Sequence, residues 1–120
     1  MPAYQVKHKV PIDSAYFEVA VDAMQNVVQA GTAVRANLKD IVVCGKTGSV
    51  QNDPRPEHSV FIAFAPKENP VIAISVYVEF SGMGGRAAAS IAGLLIEKYL
   101  KGNTSRPYIE DYVMKGDFLD

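Results

Sequence analysis

Lys46, Thr47, Gly48 and Ser49 follow one another where the apolar run at the start of "VVCGKTGSV", residues 42–50, gives out. An ammonium, two hydroxyls and a glycine where a strand runs into a turn suit an anionic, extended ligand. Lys46 would supply the charge, Thr47 and Ser49 would donate hydrogen bonds to a carboxylate, and Gly48 has no side chain to obstruct a ligand backbone. The backbone N–H of Ser49 would form one half of an oxyanion hole, so the set suits acyl transfer. Lys-Thr-Gly also occurs by chance at ordinary strand ends, so its surroundings must decide its meaning.

The other residues that could do chemistry narrow the field. Twelve Lys and Arg against thirteen Asp and Glu give a formal charge of −1 with no basic block, which argues against nucleic acid as a partner. His8 and His58 are far apart, with no Cys or carboxylate at ligand spacing, so neither a metal nor a cofactor is expected. His58 opens a strand and reads as a capping or surface residue. Cys44 is the single cysteine and reads as a small core residue rather than a reactive thiol. No apolar run reaches the roughly 20 residues a bilayer requires, and "MPAYQVKHKV" lacks the apolar centre of a signal peptide. The chain is expected to be soluble.

At 120 residues and 48% hydrophobic, the chain suits one domain, 1–120, around one core. Phe17, Val21, Met24 and Val28 fall on one stripe of a helix, read as core, with Asp13 or Ser14 as its cap and Gly31 in a left-handed position past its end. Three strands follow, "DIVVCGKTG", "HSVFIAFAP" and "VIAISVYVEF", the last two close enough to pair antiparallel. "SVQNDPRPEH" between the first two is a loop. After a glycine-rich turn comes a helix with Ala88, Ile91, Leu95 and Tyr99 or Leu94 on one side, ended by Gly102. Its small residues, Ala87, Ala88, Ala89, Ala92 and Gly93, permit close approach to a sheet. Glu79 is placed to pair with Arg86 across that turn. Residues 103–120 have scattered aromatics without a period and read as a surface or loosely ordered tail.

These elements give the four motif residues a context. "GKTGS" followed by Gln51, then "HSVFIAFAP", "VYVE", a Gly-Gly turn and an alanine-rich closing helix, with "AGTA" at 30–33, resembles the C-terminal part of the transpeptidase domain of class B penicillin-binding proteins, above all the elongation-type enzymes. The resemblance covers nearly the whole chain. It implies a serine acyltransferase that cross-links peptidoglycan stem peptides and is acylated by β-lactams. Lys46 would share in the proton and charge network, Thr47 and Ser49 would hold the substrate carboxylate beside Gly48, and the Ser49 N–H would face the carbonyl oxygen. Serine stands where the family more often has threonine, and keeps the hydroxyl.

One expected feature is missing. Such enzymes need Ser-x-x-Lys for the nucleophile and Ser-x-Asn for the proton relay, and none of Ser14, Ser49, Ser59, Ser75, Ser81, Ser90 or Ser105 fits either pattern. The sequence therefore reads as a piece of a longer protein, begun after those motifs at Met1 and inactive alone. The resemblance places the parent in the bacterial inner membrane with this domain in the periplasm. The expected fold is α+β, part of a penicillin-binding and β-lactamase-like transpeptidase fold: a small antiparallel sheet of about three strands with N- and C-terminal helices on one face. The other face would meet the missing N-terminal part of the protein, or another copy of the chain through self-association. Two rival readings are a non-catalytic module that binds anionic peptides and a β-lactamase or β-lactam-sensing domain.

Overall fold

The computed structural model describes residues 5–6 and 8–120. In order, the elements are α1 (Ser14–Gln29), a short 3-10 helix (Val34–Ala36), β1 (Cys44–Val50), β2 (His58–Ala65), β3 (Ile72–Val78), α2 (Ala87–Lys101) and α3 (Pro107–Lys115). The three strands form one antiparallel sheet in the order β1-β2-β3. This is the expected α+β architecture.

Register fixes what each side chain meets. Thr47 stands opposite Phe61 and Ser49 opposite Ser59, while Lys46 stands opposite Ile62 and Gly48 opposite Val60. Because side chains alternate along a strand, Thr47 and Ser49 share the face of Ser59, Phe61 and Ala63, and Lys46 projects from the other. The first face is covered by α2, whose Ala88, Ala89, Ala92 and Ile96 form one core cluster with Phe61, Ala63 and Val28 from the end of α1. The second is largely open, with Ile62 at 49% and Tyr77 at 54% exposure.

Several local expectations change in the structure. The Lys-Thr-Gly-Ser run lies inside β1 rather than in a turn at its end, because β2 extends to His58 and pairs with β1 out to Val50. Cross-strand pairing outweighs the weak strand propensity of glycine. Asp13 caps α1, its side chain accepting from the Ala15 N–H at 2.9 Å, but the helix closes on Ala30 and Gly31 is not left-handed. Of the α1 stripe only Val28 is fully buried; Phe17 is 50% exposed, because α1 packs chiefly along β1, an edge strand. On α2 the buried side runs through Ala88, Ala89, Ala92, Gly93 and Ile96, leaving Leu95 and Tyr99 exposed, since the small side chains are the ones that let the helix reach the sheet. Gly102 ends α2 in a left-handed conformation, as expected. Residues 103–120 lie on the surface, one of the two alternatives expected, and contain α3, started by Pro107 and ended by left-handed Gly116, with Ile109 buried.

Cys44 is fully buried, and burial raises its thiol pKa despite the nearby Lys67 ammonium. Lys67 Nζ binds Asp22 Oδ1 at 2.6 Å and Gln25 Oε1 at 2.7 Å, tying the end of β2 to α1. Among the described residues no group of three His, Cys, Asp or Glu side chains is gathered as for a metal, and no helix is long and apolar enough to cross a membrane.

The α2–α3 junction is pinned by charge. Glu97 is 1% exposed and accepts a hydrogen bond from the Ser105 hydroxyl, with Arg106 Nε 3.7 Å from its Oε2. Burial pushes its carboxyl pKa up, but the hydroxyl and backbone N–H of Ser105, with the charges of Arg106 and Lys101, outweigh burial and hold it below 4.5. The folded value lies below the unfolded one, so this contribution to stability is complete above pH 4.5 and is lost as pH falls through the folded value. Glu97→Gln should therefore reduce the loss of stability seen in denaturant unfolding below that pH, whereas identical acid profiles would contradict the assignment. Glu97→Ala, which leaves Arg106 buried without a counter-charge, should cost about 3–5 kcal/mol at neutral pH.

Candidate active-site groove

The hydroxyls of Thr47 and Ser49 meet elements far away in sequence. Thr47 Oγ1 shares a 2.8 Å hydrogen bond with Thr32 Oγ1, from the segment that follows α1. Ser49 Oγ accepts from the Gly84 N–H at 3.2 Å, in the turn before α2. The resulting groove, about 290 Å³, is lined by Thr47 and Ser49, by Thr32 and Arg35 on one rim, and by Met83, Gly84, Gly85 and Arg86 on the other, the two rims meeting where Gly85 packs on the Thr32 carbonyl. Two arginines and three hydroxyls line it, with no carboxylate among them. Such a lining favours an anion.

The Gly84-Gly85 turn can lie here only because both residues lack Cβ. A Cβ at Gly84 would collide with the carbonyl oxygens of Gly48 and Val60, and one at Gly85 with the carbonyl oxygen of Thr32. The turn is held from below by Ser59, fully buried on the core face of β2. Its Oγ donates to Met83 O at 3.2 Å and accepts from the Ala88 N–H at 3.0 Å. No side chain of the Arg86 cap satisfies the first turn of α2, and Ser59 supplies that acceptor from the sheet.

Of the four residues marked by sequence, the structure brings Thr47 and Ser49 into the groove with the Gly48 backbone between them. Lys46 is not among the lining residues. It extends from the opposite face, and its Nζ turns back to donate to the Thr47 carbonyl at 2.7 Å. His58 caps in the manner expected of it: its Nδ1 accepts from the Phe80 N–H at 2.9 Å and its ring packs edge-on against Phe80. Arg86 does not pair with Glu79; its Nη1 donates to the carbonyls of Phe118, at 3.0 Å, and Asp120, at 2.6 Å. A larger hollow of about 510 Å³ lies behind Arg35, between the 3-10 helix and α3, and contains none of the motif residues.

Sequence reasoning missed the roles of Thr32, Arg35, Ser59 and Arg86. "AGTA" and the Gly-Gly turn were visible as motif pieces, and Ser59 is a polar residue on the apolar phase of a strand. That last signal was available. Nothing local connects Arg35 to a strand beginning nine residues later.

A family model described as the penicillin-binding protein transpeptidase domain matches residues 3–97. The chain belongs to this family. It is 31% identical over 116 residues to peptidoglycan D,D-transpeptidase MrdA of Haemophilus influenzae, an alignment covering 82% of the chain and 18% of that protein. Among solved structures it resembles PBP2 of Pseudomonas aeruginosa with a TM-score of 0.69 and 30% identity, over 83% of this chain and 23% of that one. It also resembles the imipenem acyl-enzyme complex of penicillin-binding protein A from Mycobacterium tuberculosis, with a TM-score of 0.55 and 27% identity over 73% of this chain and 19% of that one. The chain thus spans between 15% and 18% of the length of the curated relatives it matches.

The groove's supports can be tested by stability. Ser59→Ala leaves the Ala88 N–H buried without a partner and should cost about 1–3 kcal/mol in denaturant unfolding. Gly84→Ala forces the turn off the sheet and should cost a similar amount or more. A transpeptidase fold with either variant at wild-type stability would show that the turn does not depend on these contacts.

Proposed function

We propose that this chain forms the strand side of a peptidoglycan D,D-transpeptidase active site. In this reading the hydroxyls of Thr47 and Ser49 hold the carboxylate of a stem peptide or of a β-lactam. Gly48 lets the ligand backbone run alongside β1, and the Ser49 N–H stabilises the tetrahedral oxyanion formed when a serine attacks the scissile carbonyl. Lys46 contributes its charge from the solvent side of the strand to the proton network of the nucleophile. That serine lies outside the present sequence, because no Ser-x-x-Lys occurs in it.

The observation that carries this reading is the convergence of Thr47 and Ser49 with Thr32 in one groove bordered by Arg35 and Arg86. The open face of the sheet, with Ile62 and Tyr77, then offers a seat for the rest of the same catalytic domain. By the same reading the intact protein is anchored in the bacterial inner membrane, with this domain in the periplasm.

The test uses a fluorescent penicillin. Residues 1–120 alone should take no covalent label, whereas the intact protein that contains them should be labelled at one serine outside this segment. In that protein Lys46→Ala should lower the acylation rate by about two orders of magnitude or more, by removing a cation from transition-state stabilisation. The melting temperature of residues 1–120 should hardly change, since Lys46 is exposed. A stoichiometric adduct on a serine of residues 1–120, or acylation indifferent to Lys46, would refute the assignment.

A further inference from the structure

The family match ends at residue 97, yet the segment after α2 grips both rims of the groove. On one rim Arg106 Nη1 donates to the carbonyls of Arg35, at 2.7 Å, and Asn37, at 3.2 Å, fixing the 3-10 helix that follows Thr32. The Arg35 guanidinium lies over the Tyr112 ring, 4.7 Å from its centroid. On the other rim Arg86 reaches the Phe118 and Asp120 carbonyls. Tyr112 and Phe118 join the two grips edge to face, with ring centroids 5.3 Å apart. The buried Glu97–Arg106 pair and the Ser105 hydroxyl anchor the start of the segment to α2.

We propose that residues 103–120 act as a strap that holds the two rims in place over Thr47 and Ser49, with Arg86, Arg106 and Tyr112 as its positioning residues. The inference rests on reading the groove as the carboxylate site. Thr32 stands on one strapped rim and hydrogen-bonds Thr47; Gly84 stands on the other and hydrogen-bonds Ser49. Any shift of either rim is therefore transmitted to the hydroxyl it binds. Displacements of about 1 Å at such positions can cost up to about a hundredfold in rate. The guanidinium forks are suited to the task, because Arg86 and Arg106 each hold two carbonyls at once through one nitrogen and a fixed plane.

The experiment compares the intact protein containing this chain with three variants: Arg86→Gln, deletion of residues 116–120, and both together. Acylation by a fluorescent penicillin is followed over a range of concentrations. Each single change should raise the half-saturating concentration about tenfold, and the combination should be no worse than the worse single, because both break the same contact. A merely structural role would lower the melting temperature and the fraction of active enzyme without moving half-saturation. An unmoved half-saturation in the deletion variant, or losses that multiply in the double variant, would overturn the strap.

Thr47→Ala serves as the control for the underlying reading. If it leaves half-saturation unchanged, the carboxylate assignment fails, and amide spectra decide the strap separately. Deleting 116–120 should shift the Thr32, Thr47, Ser49 and Gly84 resonances, and unshifted resonances would refute it whatever the groove binds. Should Arg86→Gln fail to fold, the deletion variant, which keeps Arg86, supplies the answer.

Discussion

The hydroxyl of Ser59 is the contact on which the site depends. It is fully buried on the core face of β2, and it holds the carbonyl of Met83 and the N–H of Ala88 at once. Between those two residues lie Gly84, Gly85 and Arg86, the whole of one rim. A helix start lacking its own cap would ordinarily turn to water. Here it is satisfied by the sheet, so α2 and the turn before it are placed relative to β2 with the accuracy of a hydrogen bond rather than of a loop. Because Ser49 stands opposite Ser59 in the ladder, the same register that positions the support also positions the Ser49 hydroxyl in the groove.

The alternation of side chains then divides the motif. Thr47 and Ser49 go to the side of the turn and Lys46 to the other, so one short run serves two surfaces of the sheet. In the reading proposed above, this division places the hydroxyls against the carboxylate and leaves the ammonium free to face the part of the domain that supplies the nucleophile. The described residues comprise a sheet with one covered and one largely open face.

Much of this was legible in the sequence. The period-2 pattern of "HSVFIAFAP" and "VIAISVYVEF" predicted two adjacent antiparallel strands, and Asp13 and Gly102 marked helix ends by their own chemistry. Errors arose where tertiary contacts decide. The end of β1 was misplaced because Gly48 and Ser49 resemble turn residues, and only the length of β2 keeps them in the ladder. On α2 the small residues Ala87, Ala88, Ala89, Ala92 and Gly93 mark the side that reaches the sheet, whereas the larger Leu95 and Tyr99 of its apolar stripe stay exposed. The segment 103–120 showed no apolar period because α3 buries only Ile109; its order comes from Arg106, Arg86 and Tyr112 binding partners more than thirty residues away.

The central claim is that Thr47 and Ser49 form a carboxylate seat between the Thr32 and Gly84 rims. A crystal structure of the intact protein acylated by a penicillin tests it most directly. The account predicts carboxylate oxygens within about 3.2 Å of both Thr47 Oγ1 and Ser49 Oγ, a hydrogen-bond distance. A carboxylate held elsewhere, with those two hydroxyls bonded only to Thr32 and Gly84 as they are in the free groove, would contradict it.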